Sequence, residues 1–208
     1  MANTRTRILV NSLLLFNEHG EAHTTTNDIA DETDISPGNL HYHFRKKSEL
    51  ISALIGEFQA DARQVLQAPS GDESAIDQFW GFLQLLIEAM TAYRFLIRDT
   101  ETMVAEYPQV GRAMKGFLTA LLGVVELHLT ALAGSGIIDL DGADKSALSR
   151  GIAILAIYSQ RFDAALGRDP QVEQTAQRIT EAVIGQLLPY ATEGSADGLE
   201  ALLHQYRS

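Results

Sequence analysis

No cysteine occurs in the 208 residues, which excludes disulfides, thiolate metal sites and cysteine nucleophiles. A long apolar run is missing too. The stretch Phe117–Ala133 comes closest, but Glu126 and His128 interrupt it, short of the roughly 18 apolar residues of a membrane span. The N-terminus lacks the basic-then-apolar order of a signal peptide, because Asn11 and Ser12 break the run from Ile8 to Phe16. These absences predict a cytoplasmic protein with no membrane partner. Enzyme motifs are equally scarce: there is no His-Glu-x-x-His, no phosphate-cradling glycine loop and no Gly-x-Ser-x-Gly. His41 and His43 would point about 160° apart on a helix, so they cannot chelate one metal. Glu101, Glu106, Glu126 and His128 lack the paired Glu-x-x-His spacing of helical di-iron bundles. No catalytic residue, cofactor or metal is expected.

Positive charge is also in short supply. Sixteen Lys and Arg against 27 Asp and Glu leave a net charge of −11, whereas nucleic-acid-binding domains are usually basic. The cations are grouped, however, with Arg5 and Arg7 near one end of the first fifty residues and Arg45, Lys46 and Lys47 at the other. Charges act within about a Debye length, roughly 8 Å at physiological salt. An acidic remainder therefore leaves a local basic patch intact and suppresses non-specific binding, so affinity for random DNA should be weak and strongly salt-dependent.

Strand-like alternation is absent, and apolar residues recur at three and four, which reads as an all-α chain. The pattern predicts helices over Thr4–Glu18, Lys47–Gln67, Ser74–Ala92, Phe95–Ala105, Pro108–Leu132, Lys145–Leu166, Pro170–Tyr190 and Asp197–Tyr206. Gly20 should stop the first, Ala68–Asp72 breaks the chain, and Asp169 should cap the helix from Pro170. Ala133–Asp144, with three glycines, is expected to be the mobile loop. No repeat or low-complexity segment is present.

The richest segment is Thr24–Leu50, which reads as two short helices joined by a tight turn. Ser36 stands where an N-cap is needed, and Pro37 follows at the first helical position, where its missing N–H costs nothing. Leu40 and Phe44 lie one turn apart and define the inward face, leaving Gly38 and Tyr42 almost opposite and Asn39 and His41 on the flanks. An outward glycine weakens a helix by roughly 1 kcal/mol against alanine. It makes sense where base edges or a phosphate approach closely. Asn39, His41 and Tyr42 carry donors and acceptors suited to such a surface, and a helix of two turns does little except present them.

At these residues the chain resembles the tetracycline-repressor (TetR/AcrR) family of transcriptional regulators. The matching pieces are Thr24-Thr25, Asp28-Ile29-Ala30, the run from Ile35 to Phe44, and Lys47-Ser48-Glu49-Leu50. His41 stands where that family usually has tyrosine, and Pro37 often corresponds to a lysine or other polar residue. The resemblance implies a three-helix helix-turn-helix domain over residues 1–48 and a helical effector-binding and dimerisation domain over 49–208. It implies DNA contacts from Thr25, Ser36, Pro37, Gly38, Asn39, His41, Tyr42, His43 and Lys47. It further implies a repressor that binds a palindromic double-stranded operator as a homodimer and is released by a small effector.

Dimerisation would use the helices 145–166 and 170–190, whose Gly151, Ala153, Ala156, Ala164, Ala165, Ala176, Ala182 and Gly185 permit close packing. A dimer also follows from the reading mechanism, since one short helix covers too few base pairs. The effector would sit among the central helices, with Trp80, Tyr93, Met103, Phe117, His128, Tyr158 and Phe162 as candidate contacts. So aromatic a set suggests a hydrophobic ligand. His128 falls on the stripe Phe117, Leu121, Val125, Leu132, so it faces inward and needs a partner. Arg161 and Glu88, within apolar stretches, raise the same question. The competing reading is a helical small-molecule-binding or adaptor protein that no longer binds DNA.

Overall fold

Caps and breakers place the helix ends in the computed structural model, which describes residues 3–168 and 172–207. The order is α1 (Thr4–His19), α2 (Thr26–Glu32), α3 (Pro37–His43), α4 (Lys47–Val65), α5 (Ala75–Ala92), α6 (Arg94–Arg98), α7 (Thr100–Glu106), α8 (Pro108–Gly134), α9 (Gly142–Ala165), α10 (Val172–Leu187) and α11 (Ala196–Arg207). A 3-10 turn, Leu188–Tyr190, follows α10. Among the described residues the extended pairing is a single bridge, Ile138 to Ala191. The all-α expectation therefore holds.

The chain divides into two compact units. The first comprises Met1–Ala62 and Ala92–Gly116, and the second Arg63–Thr91 and Phe117–Ser208. The first thus draws in α6, α7 and the start of α8, beyond the 1–48 segment expected from sequence.

In the first unit α1 starts at Asn3, whose side chain accepts from the Thr6 N–H at 2.9 Å. It stops at Gly20, where φ is +94°. Its end is held by buried Asn17, which donates to the Ala92 carbonyl at 2.7 Å and accepts from the Phe95 N–H at 3.1 Å. Arg98 adds two bonds to the Phe16 and Asn17 carbonyls, at 2.7 and 3.1 Å. This explains a departure from expectation. The predicted helix Phe95–Ala105 is broken at Asp99, which separates α6 from α7. The Arg98 and Asp99 side chains pair with each other, and Asp99 also accepts from the Glu21 N–H at 3.4 Å.

In the second unit α9 lies against α10, with Asp141 capping α9 at the Asp144 N–H, 2.8 Å away. Gly134 ends α8 and Gly142 opens α9, so the loop is shorter than the predicted Ala133–Asp144. It is also tethered. Asp139 N–H donates to the Tyr190 carbonyl at 2.8 Å, Thr192 N–H to the Ile137 carbonyl at 3.1 Å, and Ser195 Oγ bonds the same Ile137 oxygen. The expected cap Asp169 and helix start Pro170 lie outside the described residues.

Helix α8 corrects a second expectation, because it is long and apolar enough to cross a membrane by length and composition. Interruptions at Glu126 and His128 do not prevent that. One side of it is nonetheless core: Val110, Ala113 and Met114 are buried in the first unit, and Phe117, Leu121, Val125, Leu129 and Leu132 in the second, while Leu122 and Leu127 are exposed. A core helix passes the same test of length and composition.

Asn17→Leu should destabilise the protein by about 2–3 kcal/mol, because it strands a buried N–H and a buried carbonyl. Val10→Ala, at a position 52% exposed, should change stability by less than about 0.5 kcal/mol. Urea unfolding of both variants checks the pair.

Candidate functional site

Two short helices meet at a turn that one residue makes possible. Asp34 has φ +55°, the left-handed region that Asp tolerates better than most side chains. It occupies the position after α2 at which the Ile35 N–H reaches back to the Ala30 carbonyl and the Asp34 N–H to the Asp31 carbonyl, at 3.0 and 3.1 Å. Thr25 caps α2 in a reciprocal box. Its hydroxyl accepts from the Asp28 N–H at 3.2 Å, and Asp28 accepts from the Thr25 N–H at 2.7 Å. That backbone bond holds the Asp28 carboxyl below its usual range. Ser36 caps α3 at the Asn39 N–H, 3.2 Å away, with Pro37 at the first helical position.

The result is a helix fixed from below and open above. Leu40 and Phe44 are buried at 2% exposure, whereas Ser36, Pro37, Gly38, Asn39, His41 and Tyr42 are all exposed, Tyr42 at 83%. Tyr42 and His43 meet edge to face at 5.3 Å. Thr26, Asn27, Pro37, Gly38, His41 and Arg45 line a groove between α2 and the outer side of α3.

The cations divide by role. Arg45 and Lys46 are exposed, and the Arg5 guanidinium lies 4.8 Å over the Phe44 ring. Arg7 donates instead to the Thr33 carbonyl. Lys47 reaches inward: its ammonium is 2.8 Å from the Glu21 carboxylate and also donates to the Glu21 carbonyl. Tyr107 donates to the same carboxylate at 2.7 Å, and burial together with Glu21 raises the Tyr107 pKa. Sequence reasoning missed Glu21, Tyr107, Asn17 and Arg98. Their partners lie 26 to 86 residues away, so no local pattern marks them.

The candidate effector residues fall in both units. Tyr93 and Met103 are buried in the first, where Tyr93 donates to Asp61 at 2.6 Å. Trp80, Phe117, His128, Tyr158 and Phe162 belong to the second. There His128 is 2% exposed, stacked on Phe82 at 4.6 Å and edge-on to Phe79 at 5.9 Å. Burial pushes its pKa down to about 4. Tyr158 and Phe162 are exposed instead, and with Ile154 and Leu166 they form an apolar stripe at intervals of four along α9 and its C-terminal end. Of the small residues, Gly151, Ala153 and Ala156 face the other way, whereas Ala164, Ala165 and Gly185 are exposed. Ala153 and Ala156 are buried, and a methyl on Gly151 would stand 2.8 Å from Gln186 Oε1 of α10. Glu88 and Arg161 are on the exposed surface.

Two outcomes follow. Lys47→Met should cost about 3–5 kcal/mol by leaving the Glu21 carboxylate buried without its cation, against less than about 0.5 kcal/mol for exposed Lys46→Met, read by chemical unfolding. His128 is neutral when folded and binds a proton more readily when unfolded. Its folded pKa lies below the unfolded 6.5, so stability present above 6.5 is lost as pH falls toward 4. Across that window the wild type should lose about 3 kcal/mol more than His128→Phe, measured as unfolding free energy against pH.

Comparison with known proteins agrees with this geometry. A family profile described as bacterial regulatory proteins, tetR family, matches residues 8–54, and one described as bacterial transcriptional repressor, TetR, matches residues 57–199. A TetR-family transcriptional regulator from Marinobacter aquaeolei VT8 superposes with a TM-score of 0.90 at 29% identity over 100% of both chains. The transcriptional regulator UidR of Escherichia coli K12 is 30% identical over 54% of this chain and 57% of its own length. The probable regulator YttP of Bacillus subtilis is 25% identical over 43% of each. The chain thus spans about half the length of these curated relatives. With the two profiles together spanning most of the sequence, the chain belongs to the TetR family of bacterial transcriptional regulators.

Proposed function

We propose that this chain is a cytoplasmic repressor that binds a palindromic operator as a homodimer and is released by a small hydrophobic effector, with no catalytic activity. The observation that carries the reading is the outer face of α3, where six consecutive or near-consecutive residues from Ser36 to Tyr42 are exposed around one buried leucine. Gly38 lets a surface approach closely, Asn39 and His41 offer base-edge donors and acceptors, and Tyr42 and His43 reach the backbone. Thr25 serves from the first turn of α2 and Pro37 by contact alone. Lys47 gives two N–H bonds to Glu21, so its third donor is the one that meets a phosphate.

The dimer reading is supported by the stripe Ile154, Tyr158, Phe162 and Leu166 on α9. Four large apolar side chains aligned on one helix face are what a partner copy would cover. Helices α9 and α10 would supply the interface, and residues 49–208 the effector and dimerisation domain. Trp80, Phe117 and His128 line the effector site in this reading. An effector that favours the state with mismatched recognition helices would release DNA by its difference in affinity for the two states.

Selection of bound sequences from a random duplex library, at two salt concentrations, should enrich an inverted repeat. Tyr42→Ala should weaken binding to that repeat about tenfold or more with little change in the melting temperature, because its side chain is 83% exposed and meets the neighbouring His43 ring at the surface. Phe162→Glu should sediment as a monomer at micromolar concentration, whereas Leu14→Glu, equally exposed on α1, should remain dimeric. A library with no enriched repeat would favour a ligand-binding or adaptor protein instead.

A further inference from the structure

His128 is held in a setting that a purely structural histidine does not explain. It is 2% exposed on α8, against the rings of Phe79 and Phe82 from α5, and neither ring nitrogen has a hydrogen-bond partner. Gln78 stands one turn before Phe82 on the same face of α5. Its Nε2 donates to the Glu73 carbonyl at 2.8 Å, yet its Oε1 is buried without a partner. Buried polar atoms in native proteins are satisfied almost without exception, and each unmet one destabilises the fold. The two unmet ring nitrogens of His128 therefore mark where an outside group is received.

We propose that His128 is the polar anchor of the effector site, and that its ligand is an uncharged, flat, largely apolar molecule bearing a hydroxyl group. The proposal rests on the effector-site reading above and specifies its chemistry. The flat shape comes from the rings of Phe79 and Phe82, which favour an aromatic or fused-ring body. The hydroxyl comes from counting. A neutral imidazole offers one N–H and one lone pair. A hydroxyl both donates and accepts, so it answers either kind of group. A carbonyl answers the N–H alone, and a carboxylate brings no donor at all. Absence of charge follows from the same burial that keeps the imidazole neutral near pH 7, with its pKa at about 4. A neutral ring can donate one N–H to an anion but brings no opposite charge to offset its loss of water.

The test uses the full chain and three probes of one size: a naphthol, naphthalene and a naphthoate. Calorimetry at pH 7 should show the naphthol binding about tenfold or more tightly than either of the others. His128→Phe should bring the naphthol down to the level of naphthalene, and His128→Asn, which keeps one donor and one acceptor, should retain part of the preference. Should either variant fail to fold, side-chain nitrogen NMR of the wild type replaces it, with the His128 resonances expected to shift on adding the naphthol. No binding by any probe, tightest binding by the naphthoate, a preference that survives His128→Phe, or unshifted His128 resonances would overturn the proposal. Running the duplex selection on the same preparation separates the two readings. Protein that enriches an inverted repeat but ignores the naphthol loses only the ligand class. Protein that binds the naphthol through His128 without enriching any duplex loses only the operator.

Discussion

The first unit depends on one buried carboxylate. Glu21 is 2% exposed in the loop between α1 and α2, and it is held by Lys47 from the start of α4 and by Tyr107 from just past the end of α7. A buried charge without such partners costs several kcal/mol, so these three segments are obliged to stay together. Helix α3 needs that obligation. It contributes Leu40, with Phe44 at its end, to the core, which is too little to orient seven residues. Its direction is inherited from α2 before it and α4 after it, and Glu21 fixes where both begin. The Arg98 and Asn17 bonds extend the same logic to the end of α1. Residues 92–107 are therefore part of what holds α3. A movement that carried Tyr107 away would leave Glu21 short of a donor and loosen the start of α4 with it.

What the sequence made legible was local. Ser36 and Pro37 announce α3, Gly20 ends α1, and Leu40 with Phe44 defines an inward face, because caps and turns are decided within four or five residues. The outward set from Gly38 to Tyr42 followed from the helical period alone. What escaped was decided at a distance. Periodicity alone gives no reason for the helix after Phe95 to break at Asp99, since the cause is an arginine reaching the last carbonyls of α1. Glycines between 133 and 144 suggested mobility, yet Gly134 and Gly142 are helical and the rest is tied to residues 190–195. His128 shows the mixed case, in which its inward direction was legible and the lack of any protein partner was not.

The small residues of α9 carry a similar lesson about dimerisation. Gly151, Ala153 and Ala156 invited the idea of close packing with a second subunit, but close packing within one chain uses them. The opposite property favours a partner copy: large apolar side chains are left in water at 154, 158, 162 and 166. Exposed Tyr158 and Phe162 then have a reason that does not involve an effector. Assigning them to a ligand and to a partner copy at once would use the same surface twice.

On the proposed reading, electrostatics gives the DNA-contacting face its character. Of the cations grouped in the first fifty residues, Arg7 is engaged by the Thr33 carbonyl and Lys47 by Glu21, while Asp28, Asp31, Glu32 and Asp34 are exposed on α2 and the turn beside it. Arg5, Arg45 and Lys46 remain outward. Long-range attraction to phosphate scales with the number of charges that neutralise it, and here that number is small and opposed by neighbouring carboxylates. Non-specific affinity must then be low, so most of the binding free energy has to come from groups in direct contact. Those contacts are short-ranged and demand the right base edges, the right groove width and a second half-site at the right spacing. A repressor of net charge −11 would therefore depend on discrimination between sequences more than on raw attraction to DNA.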